Sequence, residues 1–197
     1  VKFRVPGKFS VYNSMCSVIT AVELGLPIAD VAEAVSSMKG IKGRAESVPT
    51  GRDFSIIIDY AHTPDGLKNI LSTFRDCKKN RLIVLFGCGG DRDKTKRPIM
   101  GNIAVRYADY VIVTSDNPRS ENPTEIIKDI LVGTDGVNTP VKVIENRIEA
   151  IKYAVSIAKT DDIIVLAGKG HETYQILADK TIHLDEREVV DEALKAL

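Results

Sequence analysis

The segment TSDNPRSENP, Thr114 to Pro123, sets an acid, an amide and an arginine around a proline directly behind the apolar run Tyr110-Val111-Ile112-Val113. A turn has backbone uses for Asp, Asn and Pro but none for a guanidinium. Arg119 therefore has to be explained by something outside the turn. Three further segments are built alike: DYAHTPD from Asp59, GCGGDRDKTKRP from Gly87 and GKGHET from Gly168. A solvated loop accounts for one such segment, but independent surface loops have no common need for charge beside glycine or proline four times over. The glycines of the second segment leave backbone N–H groups free to cradle an anion ahead of a helix. No window, however, supplies G-x-x-x-x-G-K-[ST] or G-x-G-x-x-G, and GKGH lacks the spacing of a nucleotide loop. The chain thus carries phosphate-friendly pieces without a loop that would bind a nucleotide triphosphate by itself.

The elements that must position these segments follow from the apolar pattern. FSIIID, RLIVLFG, YVIVTSD, VKVIE and DIIVLAG are short runs without two-residue alternation, as expected of strands buried on both faces of a parallel sheet. Helices are predicted between them at Asp65–Cys77, Lys96–Tyr107, 123–131 and 147–159. Strand and helix alternate, which specifies a Rossmann-like α/β fold: a mostly parallel sheet with helices on both faces. Ligands of such sheets collect at the carboxyl ends of the strands, where the four charged segments fall. A hairpin turning at Ala178-Asp179-Lys180 and a last helix from Asp185 or Glu186 complete the chain. Ahead of the sheet, a helix is predicted from Tyr12 to about Leu24, capped by Asn13 or Ser14, with Val18, Ile19, Ala21 and Val22 inward. A second follows Pro27, with Ile28, Val31, Ala32 and Val35 inward, and stops near Met38-Lys39-Gly40. IKGRAESVPTGRD then reads as a linker between domains.

Of the 197 residues, 27 are basic and 27 acidic, so the net charge is zero and neither a nucleic-acid nor a membrane partner is indicated. A small charged metabolite suits that balance better. Cys16, Cys77 and Cys88 lie far apart with three histidines, which argues against a disulfide framework or a zinc site and for a cytoplasmic setting. Opening on Val1 rather than Met, the chain reads as a piece of something longer.

PGKFSVYNSM, KGRAE, DYAHTPDGL, FGCGGDRDKTKRPIMG, TSDNPRSENP and AGKGHETYQ, in this order and at these intervals, resemble the C-terminal portion of the Mur ligases, nearest to those that add meso-diaminopimelate. The resemblance runs from Pro6 to the final helix. It implies a division into 1–43, the helical end of a central ATP-binding domain, and 44–197, a Rossmann-like amino-acid-binding domain. It further implies a part in an ATP-dependent acid–amino-acid ligase of peptidoglycan synthesis, which joins meso-diaminopimelate to UDP-MurNAc-L-Ala-D-Glu through an acyl phosphate. ATP and Mg2+ are the implied cofactors. The magnesium site and the carbamylated lysine of the family are not located in this chain.

By the same resemblance Asn13, Arg44, Asp59 and His62 fall at ATP-binding positions, and Arg92, Asp116, Asn117, Pro118, Arg119, Gly168 and Glu172 at diaminopimelate-binding positions. The residue types agree with that ligand. Asp116 and Glu172 suit its distal ammonium, while Arg119, and Arg92 for a second carboxylate, offer the planar fork that grips a carboxylate through two parallel hydrogen bonds. Lys94 and Lys96 either assist phosphate or form a solvated run. With no phosphate loop, the chain alone is expected to be inactive. A free-standing amino-acid-binding module and a folylpolyglutamate or cyanophycin type of ligase are the alternative readings, and the oligomeric state is open.

Overall fold

The computed structural model describes residues 8–38 and 40–197. The opening of the PGKF segment and Lys39 lie outside the described residues. Two helices come first, α1 (Lys8–Glu23) and α2 (Ile28–Ser37), joined through Gly25. They are followed by β1 (Glu46–Val48), β2 (Ser55–Asp59), α3 (Pro64–Cys77), β3 (Leu82–Phe86), α4 (Lys96–Tyr107), β4 (Tyr110–Val113) and α5 (Pro123–Leu131). A 3-10 turn at Val132–Thr134 leads to β5 (Val141–Val143), α6 (Arg147–Ser156), β6 (Ile163–Ala167), the hairpin strands β7 (Tyr174–Ile176) and β8 (Thr181–His183), and α7 (Glu186–Lys195).

Six strands form one sheet in the order β1-β2-β6-β3-β4-β5. All its pairings are parallel except β1 with β2. Strand β6 is inserted between β2 and β3, so four carboxyl ends crowd together: those of β2, β6, β3 and β4. The absence of alternation has a direct cause. Ile57, Val84, Val111 and Val165 pack against α3, α4 and α5, while Ile56, Ile58, Ile83, Ile112 and Ile164 pack against α6 and α7. Each strand residue is thus covered whichever way it points. Helix α3 starts where Thr63 accepts the Gly66 N–H, with Pro64 in the first turn. That cap contributes ~1 kcal/mol. Burying Leu67, Ile70, Leu71 and Phe74 contributes ~1.5–3 kcal/mol each, so packing dominates.

Four expectations are corrected. The linker read at IKGRAESVPTGRD contains β1, an antiparallel edge strand pairing Glu46 to Val48 with Ile58 to Ile56. Helix α6 ends at Ser156 rather than Lys159. There the Arg81 guanidinium takes the Ile157 carbonyl at 2.7 Å and the Asp162 carboxylate takes the Lys159 N–H at 2.8 Å. Helix α1 begins at Lys8, so Asn13 lies within it and its carbonyl accepts the Ser17 hydroxyl; it is no cap. Of the side chains expected inward on the helical pair, Val31 is buried, but Ile19, Val22 and Ile28 are 58, 36 and 67 % exposed.

Candidate active site: two cavities with a common wall

The crowded carboxyl ends enclose a cavity of about 550 Å³ whose lining includes Arg92, Asp116, Asn117, Arg119, Gly168 and Glu172. All four charged segments therefore converge, with Asp116, Glu172, Arg92 and Arg119 among the residues they bring. Arg119 sits at φ 53°, in the left-handed region that a bulky residue rarely adopts. Its N–H donates to the Ile176 carbonyl at 3.1 Å, and its Nη1 to the carbonyls of Gly90 at 2.9 Å and Asn117 at 3.4 Å. Nε and Nη2 have no hydrogen-bond partner among the described residues. One prong is anchored, and the edge that grips a carboxylate bidentately stays available. Arg92 is exposed, with Nη1 donating to the Asp91 carbonyl at 2.9 Å.

Pro118 acts through its backbone. It is buried, its carbonyl accepts the Glu121 N–H at 3.1 Å, and a Cβ on Gly90 would lie 1.9 Å from that oxygen. The close approach locks the loop after β3 to the loop after β4. Gly168, at φ 116°, brings its backbone so near Asp116 that a Cβ would lie 2.6 Å from Oδ2. Only glycine serves there.

Sequence reasoning missed Lys169. It is fully buried, and its Nζ donates to Asn117 Oδ1 at 2.9 Å and Glu172 Oε2 at 3.1 Å, with Asp116 Oδ1 at 3.8 Å. Asn117 Nδ2 in turn donates to Glu172 Oε2 at 3.0 Å, and its Oδ1 accepts the Ile176 N–H at 3.0 Å. Both acids expected to face a ligand thus already share one internal cation. The signal that could have revealed it is GKG: two glycines, at φ 116° and 56°, let the chain reverse around a lysine, and the Glu172 N–H closes the turn on the Lys169 carbonyl at 3.0 Å.

A second cavity, of about 520 Å³, lies between the helical pair and the sheet, and Asn13, Arg44, Asp59 and His62 all line it. Tyr60, His62 and Thr63 border both cavities. The Arg44 guanidinium sits 4.8 Å from the Tyr60 ring centre, with the rings of His62 and His171 at 4.7 and 5.1 Å from it. Burial first, and then the Glu172 carboxylate beside it, push the Tyr60 phenol above its ordinary pKa. Asp59 is a brace: its two oxygens accept the N–H groups of Ala45 at 2.7 Å and Ala61 at 2.8 Å. Burial raises its pKa against those two bonds. Among the described residues no group of three His, Cys, Asp or Glu side chains is placed to hold a metal ion.

Buried charge holds the loops from below. Arg97 reaches Glu121 and Asp129 at 2.9 Å, tying the start of α4 to the segment behind Arg119. Its hydrogen bond, helped by the Asp91 N–H, draws the Glu121 carboxyl down to about 2. Gly43, at φ 73°, rests directly on the lysine turn; a Cβ there would lie 2.2 Å from the His171 nitrogen. Arg187 clamps the contact by bonding Glu46, Asp185 and the Gly170 carbonyl.

An open, mostly parallel sheet with a charged cleft at its switch point defines the class of α/β domains that seat small polar ligands there. Residues 43–170 match the family described as Mur ligase, glutamate ligase domain, and the chain belongs to the Mur ligases. It is 56 % identical over 98 % of its length to the UDP-N-acetylmuramoyl-L-alanyl-D-glutamate–2,6-diaminopimelate ligase of Caldanaerobacter subterraneus subsp. tengcongensis, covering 40 % of that protein. To ligase 1 of the same description from Clostridium acetobutylicum it is 54 % identical over its whole length, covering 41 %. A solved structure of a ligase so described superposes with a TM-score of 0.78 at 38 % identity, covering all of this chain and 40 % of that one. The chain spans about two fifths of the length of these relatives.

Proposed function

We propose that the chain is the amino-acid-receiving portion of an ATP-dependent ligase that adds meso-diaminopimelate to UDP-MurNAc-L-Ala-D-Glu in the cytoplasm. The cavity lined by Asp116, Arg119 and Glu172 takes the diaminopimelate, and the cavity beside it takes part of the ATP. Residues 1–43 then belong to the ATP-binding side and 44–197 to the amino-acid side. The observation that carries the reading is the convergence of Asp116, Glu172, Arg119 and Arg92 on one cavity: its acids suit an ammonium and its arginines a carboxylate. The common wall of Tyr60, His62 and Thr63 supports it further, since an amine held on one side lies next to a phosphorylated carboxylate held on the other. Positioning is the chemistry these residues supply. ATP, with the Mg2+ that accompanies it, supplies the activation of the acceptor carboxylate when bound. Exposed thiols at Cys16 and Cys77 accord with a reducing compartment.

Calorimetry of the chain with meso-diaminopimelate and with L-lysine tests this. L-Lysine has the distal ammonium but no distal carboxylate, so diaminopimelate should bind at least about tenfold tighter. Equal affinities, or no binding of diaminopimelate, would overturn the reading.

A further inference from the structure

A lysine with no exposure to solvent is costly unless its ammonium is fully paired. Lys169 meets that condition with side chains that line the amino-acid cavity and with nothing else charged: Asn117 Oδ1 at 2.9 Å, Glu172 Oε2 at 3.1 Å and Asp116 Oδ1 at 3.8 Å. Two of the ammonium's three N–H groups are thereby hydrogen-bonded, and the Asp116 carboxylate adds a charge at ion-pair distance. The Tyr174 ring, its centre 5.7 Å from Nζ, covers the remaining side. A lysine that only stabilised the loop would not need both Asp116 and Glu172.

The charge count follows from the same contacts. Asp116 and Glu172 bring two negative charges to the inner wall and Lys169 and Arg119 two positive ones, while exposed Arg92 and Asp93 and half-buried Lys96 complete the charged lining. The inner set is neutral with Lys169 and carries one net negative charge without it. A neutral wall with separated acid and base suits a ligand end that is itself zwitterionic, whereas a net negative wall suits a lone ammonium.

We propose that Lys169 is a positioning and specificity-determining residue of the amino-acid cavity: its buried ammonium fixes Glu172 and Asn117 and cancels one carboxylate charge, so that the cavity selects an end bearing ammonium and carboxylate together. The proposal rests on the cavity lined by Asp116, Arg119 and Glu172 being the amino-acid site. Lys169 touches no reacting atom; it acts through Glu172, Asn117 and Asp116.

The test is calorimetry of the chain with meso-diaminopimelate and L-lysine, in wild type, Lys169→Met and Lys169→Gln, with thermal denaturation of each. Methionine keeps the length and removes the charge; glutamine restores a donor toward Asn117 but not the charge. Both variants should lose at least about tenfold in affinity for diaminopimelate while lysine binding falls less or rises, lowering the ratio of the two by about tenfold. A loss from loosened structure alone would weaken both ligands together and leave the ratio where it was, and that result overturns the proposal. Wild type that binds diaminopimelate beside variants with an unchanged ratio sinks this inference alone; wild type that binds neither ligand sinks the cavity assignment with it. Nitrogen-15 spectra of the wild-type lysine side chains need no variant. One ammonium resonance should be protected from solvent exchange and should shift on adding diaminopimelate, and a spectrum without a protected ammonium overturns the proposal.

Discussion

Arg147 and Glu186 meet at 2.8 Å with both side chains fully shut off from solvent, and the same guanidinium donates to the Ala167 carbonyl at 2.9 Å and the Ser115 carbonyl at 3.4 Å. One ion pair thus ties α7 to the carboxyl ends of β4 and β6, one residue before Asp116 and one before Gly168. Removing one partner strands a buried charge, which typically costs ~3–5 kcal/mol. Glu186→Ala should therefore lower the urea midpoint strongly, and Arg147→Met with Glu186→Met together should lower it less than Glu186→Ala does. A double variant as unstable as the sum of Arg147→Met and Glu186→Met measured singly would show that the pair is not coupled.

Arg119→Ala should reduce the preference for diaminopimelate over L-lysine. A fully closed site would make an unpaired arginine cost ~3–5 kcal/mol, but Arg119 is only half-buried, so water reduces the penalty to the ~1.5–3 kcal/mol of a charged hydrogen bond. That is about a tenfold to hundredfold change in the affinity ratio. Arg119→Lys should restore part of it, because the ammonium lacks the two-pronged edge. An unchanged ratio in Arg119→Ala would mean that its Nε–Nη2 edge faces no carboxylate.

Acid should release the loop behind Arg119. The Glu121 carboxyl, drawn from 4.5 to about 2 mainly by Arg97, stabilises the folded state fully above its unfolded value. The contribution fades as the pH falls from 4.5 toward 2. Wild type should thus lose more stability over that window than Glu121→Gln, in urea titrations at stepped pH. Parallel curves for the two proteins would contradict the assignment.

Hydrogen exchange should separate the helical pair from the sheet. Helices α1 and α2 present Ile19, Val22 and Ile28 to solvent, whereas β2, β3 and β6 are buried throughout their inner positions. Amides of Tyr12 to Val35 should exchange much faster than those of the central strands. Uniform protection across both in a monomer would refute this.

The parts legible in the sequence were those set by long apolar runs. Doubly covered strands such as Leu82–Phe86 announce themselves by unbroken hydrophobicity, and helices α4 and α5 fall where the periodicity places them. β1 was hidden because three residues carry no period, and Asn13 misled because the helix already begins at Lys8, five residues ahead of it. The convergence of Arg92, Asp116, Arg119 and Glu172 follows from the rule that strand ends hold ligands. Lys169 did not follow: residue type and spacing do not tell whether a lysine between glycines turns outward or inward. Only the φ angles of its neighbours decide that.

The contact of Gly43 with the lysine turn makes two distant stretches of chain one position for mutation. A methyl on Gly170 would press on Tyr60 Cβ at 2.7 Å and the Gly43 carbonyl at 2.9 Å, and a methyl on Gly43 would press back on Gly170 and His171. Either substitution drives a wedge against the partition between the cavities. Damage introduced at residue 43 should thus be felt as a defect in amino-acid handling, although nothing in that segment touches the amino-acid cavity.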